Sequence, residues 1–290
     1  MMADTTEIAW CDSTFNPWIG CTKVGPGCDN CYAKADFDDR RHRVVWGAGN
    51  PRSRTKTWND PVRWNAQHAT FFAEHGRKRR VFCASLADVF DNEVDPSWRM
   101  DLFELIAKTP NLDWLILTKR IGNVMPMCSG DALMFDQLAN IWLGATVVNQ
   151  EEADRDIPKL LQIPAKVRFL SLEPLLELVD LEFNEISIAL EPDGHGNTAI
   201  VGGIDWLIVG GESGTKARPM NPAWARSLRD QCAAADVPFF FKQWGEFAPN
   251  WLNDDSGNKI AGSEWIDRMG KKIAGRMLDS KLHDEFPVSK

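Results

Sequence analysis

The chain lacks any apolar run long enough to cross a membrane. A spanning helix needs about 20 consecutive apolar residues, and the longest runs here, near Leu112–Leu117 and Pro238–Phe241, are strand-sized. The first ten residues, MMADTTEIAW, have neither the basic head nor the apolar stretch of a secretory signal, so a cytoplasmic location is expected. Seven cysteines is an odd number without such a signal, which argues against a disulfide framework and turns clustered cysteines into candidate metal or redox groups. Positive charge is in deficit: 33 Lys and Arg stand against 41 Asp and Glu, a net −8, which argues against indiscriminate nucleic-acid binding. Tyrosine occurs once, and there is no internal repeat or low-complexity tract.

What is present is a 44% hydrophobic composition, ample for a core, and 13 Trp, which serve cores and stacking sites alike. From residue 80 onward, short apolar runs alternate with amphipathic stretches. Arg80–Ser85, Leu112–Thr118, Ile141–Val147, Val167–Leu172, Asp205–Gly210 and Phe239–Lys242 read as strands. Helices are expected after Asp95-Pro96, over Asp131–Asn140 and Glu151–Gln162, and from Asn221-Pro222 to about Ala235. A polar, Gly-rich excursion falls around Glu191–Asn197. Such alternation implies a parallel sheet. The expected fold is α/β, a complete or partial (β/α) barrel of about six to seven strands, with a doubly wound open sheet as the alternative. Residues 42–76 break the rhythm and read as an insertion within a barrel over 1–244. Residues 245–290 read as a polar tail packing on the barrel, with a basic stretch Gly270–Arg276. Polar residues gather at the strands' C-terminal ends, among them Asp88, Lys119, Thr146, Ser171, Glu173 and Glu212, the edge where such folds carry their sites.

Cys21, Cys28 and Cys31 lie in CTKVGPGCDNC, a C-x6-C-x2-C spacing whose Gly25-Pro26-Gly27 lets the loop fold back. A helix starting at about Asn30 would favour thiolates at its N-terminus. Zinc needs a fourth ligand, which Cys11 or His42 could supply; an iron–sulfur cluster held by three cysteines keeps an open position on one iron. Spacing alone leaves both open. Cys83, Cys128 and Cys232 read as packing thiols.

A three-cysteine loop at the start of a (β/α) barrel resembles the radical S-adenosylmethionine superfamily. More closely, the chain resembles the phage-associated three-Cys-motif family of radical-SAM-like proteins, through Trp18–Ala33, Phe82–Asp91, Leu117–Arg120, Ser171–Leu175, Val209–Met220, Phe239–Gly245 and Gly270–Arg276. The superfamily's usual loop is C-x3-C-x2-C; this one is three residues longer, which keeps zinc open. The resemblance implies a [4Fe-4S] cluster on Cys21, Cys28 and Cys31, S-adenosylmethionine as cofactor, an electron-donor protein as partner, and a 5′-deoxyadenosyl radical that abstracts hydrogen from substrate. By position it implies cofactor contacts from Gly210, Gly211, Glu212 and Ser213, with Glu173 and Ser171 on the neighbouring strand. Tyr32 would sit beside the cluster, or simply pack its helix; the GGES segment could equally be a tight turn.

Positive charge is concentrated. Residues 40–80 hold eleven Lys and Arg against two acids, +9, leaving −17 for the rest. Trp46, Trp58 and Trp64 are interleaved with these cations. Cations that meet phosphates beside aromatics that stack on bases form a nucleic-acid site, with Arg77, Lys78, Arg79, Trp58, Trp64 and Lys119 as substrate contacts. The other reading is a solvated basic surface. Three functions follow: a radical SAM enzyme acting on a nucleic acid or nucleotide-related substrate, one acting on a protein or small metabolite, or a zinc-stabilised nucleic-acid-binding protein without catalysis.

Overall fold

The computed structural model describes residues 6–128, 139–181, 203–250 and 264–288. Seven strands form one parallel sheet in the order β1-β4-β5-β6-β7-β8-β9. They are β1 (Ser13–Thr14), β4 (Arg79–Cys83), β5 (Leu112–Thr118), β6 (Ile141–Thr146), β7 (Val167–Leu172), β8 (Trp206–Gly210) and β9 (Phe239–Gln243). With β1 and β9 as its two ends the sheet is a half-barrel, the partial form of the expected fold.

Alternate residues of each strand point to opposite faces, and both faces are apolar. Val81, Trp114, Leu143, Leu170, Leu207 and Phe241 belong to the outer core beneath the helices. Phe82, Leu115, Trp142, Phe169, Trp206 and Phe240 fill the concave face. Burial on both sides is why these strands read as apolar runs. On the concave face Gly144 is required by its neighbour: a Cβ there would stand 2.3 Å from the Phe169 ring.

The crossover helices start where side chains satisfy the first N–H groups. Asp95 accepts from the Ser97 N–H at the head of α4 (Pro96–Lys108), Asn149 from Glu152 at α6 (Gln150–Leu161), and Asn221 from Ala223 at α7 (Pro222–Ala234). α5 (Val124–Cys128) follows β5. The helix expected from Asn30 begins later, as α1 (Tyr32–Lys34), and widens into a π-helical turn over Ala35–Arg40. The 42–76 segment holds β3 (Ser53–Arg54), antiparallel to β2 (Trp18–Ile19), then α2 (Asp60–Ala66) and α3 (His68–His75). The helix expected over Asp131–Asn140, apart from its last two residues, and the excursion around Glu191–Asn197 lie outside the described residues.

Beyond β9, β10 (Phe247–Asn250) and β11 (Trp265–Arg268) form a hairpin, and α8 (Lys271–Ala274) follows. Phe240 bridges to Asp284, and the Phe286 ring lies 5.0 Å from Trp206, so this segment packs on the concave face at the β9 edge. Among the described residues no helix is long and apolar enough to cross a membrane.

Candidate functional site

The C-terminal ends of the strands surround a cavity of about 910 Å³. Cys21, Cys28 and Cys31 all line it, across from Ser171, Glu173 and Lys242 on the sheet. Cys21 follows β2, Cys28 ends a single 3-10 turn that opens with Pro26, and Cys31 caps α1.

Two guanidinium groups fix this loop. Arg218 bonds the Pro26 carbonyl at 3.0 Å and Asp29 at 3.1 Å, and pairs with Glu212 at 2.7 Å. Glu212 also accepts from Asn30 Nδ2 at 3.0 Å. Burial pushes the Glu212 carboxyl up, but the Arg218 side chain and N–H together with Asn30 outweigh it and hold the group below its ordinary value. On the other flank Arg120, nearly buried, donates to Cys21 Sγ at 3.5 Å, to Asp88 at 3.1 Å and to the Thr22 carbonyl at 2.6 Å. Burial, reinforced by Asp88, pushes the Cys21 thiol up to about 12, with Arg120 opposing it. Asp88 further accepts from Thr118 Oγ1 at 2.8 Å and from the N–H groups of Lys119 and Phe90 at 3.0 Å, so all its acceptor directions serve the strand ends.

A zinc ion needs four donors around one point, and among the described residues no three His, Cys, Asp or Glu could share a single ion. Neither Cys11 nor His42 lines the cavity. Cys11 is buried in the concave-face core beside Trp10 and Phe82, where desolvation raises its pKa. Three thiols spread around one mouth, without a fourth, fit a multi-iron cluster in which each thiolate takes its own iron. Cys83 and Cys232 are fully buried and Cys128 packs on the outer core.

Of the expected cofactor contacts, Ser171, Glu173, Gly211, Glu212, Ser213 and Tyr32 line the cavity and Gly210 does not. Gly211 has a structural duty. A Cβ on Gly211 would stand 1.9 Å from the Trp244 carbonyl oxygen, so this residue admits the chain leaving β9. Glu173 is 2.5 Å from Lys242 Nζ. Tyr32 does more than pack its helix: its ring is exposed to the cavity while its hydroxyl donates to the Ser85 carbonyl at 2.7 Å.

Of the expected substrate contacts, only Lys119 lines the cavity. Arg77, Lys78 and Arg79 lie at the N-terminal end of β4, the opposite edge of the sheet from the cavity. Arg77 is held bidentately by Asp12 at 2.6 and 2.8 Å, Lys78 donates to the Pro110 carbonyl, and Arg79 stacks on Phe71 at 4.5 Å. Trp64 is 1% exposed in the outer core, and Trp58 packs against that core beneath Arg54. None of these five residues reaches the cavity. Arg52, from the same basic segment, is buried against Asp91 at 2.7 Å and bonds Thr22 Oγ1 beside Cys21. Trp46 lines the cavity, as do Lys271 and Arg276 of the basic Gly270–Arg276 stretch, and Thr14, which the sequence did not single out. Nor did it give Arg218 a role, although that residue lies within the GGESGTKARPM stretch.

A family model described as "Protein of unknown function (DUF5131)" matches residues 5–287. None of the curated proteins compared with the chain matches it. Among solved structures, the chain is similar to a spore photoproduct lyase variant with bound AdoMet and dinucleoside spore photoproduct, at 11% identity and a TM-score of 0.42 over 89% of this chain and 69% of that one. A second spore photoproduct lyase variant is similar at 12% identity and a TM-score of 0.43, over 92% of this chain and 71% of that one.

Proposed function

The chain belongs to the DUF5131 family, and from its site we propose that it is an iron–sulfur enzyme of the radical S-adenosylmethionine kind, acting on a nucleotide-related substrate. The observation that carries this reading is the placement of three thiols from one loop, with no fourth, on a large cavity at the C-terminal edge of a parallel half-barrel. The motif resemblance of that loop supports it.

Cys21, Cys28 and Cys31 would hold the cluster. Once bound, cluster and S-adenosylmethionine would supply one-electron cleavage of a carbon–sulfur bond and a carbon radical, with the electron coming from a donor protein. The chain's own residues bind and exclude. Arg218 and Glu212 hold the Cys28–Cys31 side of the loop, and Arg120 holds the Cys21 side. Leu117, Phe82 and Trp10 line the cavity with apolar surface that keeps water from a reactive intermediate.

Anaerobic reconstitution with iron and sulfide tests the reading. Iron and sulfide in the ratio of a [4Fe-4S] cluster, lost when the three cysteines are replaced by alanine, are expected. A colourless protein carrying zinc on those cysteines would establish the zinc-stabilised alternative instead.

A further inference from the structure

One tryptophan stands apart from the others. The remaining described tryptophans belong to one of the two cores or pack against them, except Trp265, whose indole donates to Asp267. Trp46 does neither. It is in no core, its ring meets no aromatic or cation among the described residues, and it lines the cavity half-buried. An indole is a large apolar surface with one donor, and packing it into a core is the ordinary way to remove it from water. Here the backbone is fixed on both sides instead. The Trp46 N–H donates to Asp38 Oδ2 at 2.9 Å and its carbonyl accepts from Asn50 Nδ2 at 3.2 Å. The Gly47 N–H donates to the Cys21 carbonyl at 3.0 Å, and the Gly47 carbonyl accepts from buried Arg52 at 3.1 Å. The ring is thus anchored beside the cysteine loop, at the mouth of the cavity.

The chain leading to Trp46 carries cations. Arg40 and Arg41 share one acid, Asp36, and Lys34 pairs with Asp39, while Asp38 accepts the Trp46 N–H. Glu93, on the far side of the segment, accepts from the Gly49 N–H and pairs with Arg52. Arg43 is exposed and has no acidic partner among the described residues. It lies three residues before Trp46, within about 10 Å of chain. A flat face with an unpaired guanidinium beside it fits a ligand that carries a ring and an anion together. A nucleotide joins the two in one unit, with phosphate for the cation and base for the indole. A base held at the mouth is a neighbour of the group that enters the cavity, which makes the ligand a strand.

We propose that Trp46 is a stacking platform for one base of a single-stranded nucleic acid, with Arg43 on an adjoining phosphate. The proposal deepens the reading above by naming the substrate as a strand, and rests on that reading only in treating the strand as substrate. DNA and RNA offer the same chemistry.

Fluorescence anisotropy with short mixed-sequence DNA and RNA strands, in the presence of S-adenosylmethionine, tests it. A strand of the same length without bases is the control. At least one of the two base-bearing strands should bind, and the tighter one identifies the source. Trp46→Ala should weaken that binding about 5- to 150-fold, the loss of one stacked base, and leave the salt slope unchanged. Trp46→Phe should recover part of the loss, since a flat ring remains. The strand without bases should not respond to either variant. Arg43→Ala should reduce the log–log salt slope by about 0.7, one phosphate on a single strand. Binding of neither base-bearing strand, unchanged affinity in Trp46→Ala, or an equal loss on the strand without bases overturns the platform. An equal loss of S-adenosylmethionine affinity, by calorimetry, also overturns it, since the cofactor's adenine would then occupy the indole. Failure to form 5′-deoxyadenosine with Trp46-dependent strand binding intact overturns the radical reading and leaves the platform standing.

Discussion

Arg120 Nη1 lies 3.5 Å from Cys21 Sγ and 3.1 Å from Asp88 Oδ2, so one buried guanidinium joins the cysteine loop to the ends of β4 and β5. Arg120→Met would leave Asp88 buried beside Asp91 without its cation. Losing one partner of a buried pair costs about 3–5 kcal/mol, and the remaining hydrogen bonds to Asp88 place this case at the lower end. Arg120→Lys should recover part of the loss, since it restores charge but not the planar fork. Urea denaturation of the three proteins measures both effects.

The Glu212 carboxyl is held below its ordinary value, so its contribution to stability has a definite pH window. The folded state binds its proton less readily than the unfolded chain. The contribution is therefore complete above the unfolded value, roughly 4.3, and is lost as pH falls through the lower folded value. Glu212→Gln should be less stable than the parent at pH 7, and the gap should close in acid. Hydrogen exchange should also speed up across Pro26–Cys31 in the variant, because Arg218 loses the partner that orients it.

Gly144→Ala should destabilise by about 1–3 kcal/mol, the usual cost of overpacking, because the new methyl meets the Phe169 ring. Adding Phe169→Leu should recover part of that loss. Thermal melts of the single and double variants check this.

Trp64 is buried in the outer core and should contribute to stability. Trp64→Ala should cost about 3–5 kcal/mol in chemical denaturation, as for a large core side chain. Where the variant remains folded, its nucleotide affinity should match that of the parent.

The sheet was legible because strands buried on both faces read as apolar runs, and the strand readings fall within a residue or two of β4 to β9. The two-residue β1 was not, since Ser13–Thr14 carries no periodicity; only its pairing with Val81 and Phe82 makes it a strand. The cysteine loop was legible from spacing. The partners of the +9 segment were not legible because a charge count does not show them. Asp12, Asp36, Asp91 and Asp101 neutralise Arg77, Arg40 and Arg41, Arg52, and Arg54, and all four acids lie outside residues 40–80. Gly211 likewise answers to the Trp244 backbone, which no local pattern reveals.

Formation of 5′-deoxyadenosine from S-adenosylmethionine, by anaerobically reconstituted and reduced protein, tests the central claim most directly. The parent should form it, and Cys21→Ala, Cys28→Ala and Cys31→Ala should each fail to. A parent protein that carries its full cluster and binds S-adenosylmethionine yet releases no 5′-deoxyadenosine under reduction would contradict the claim.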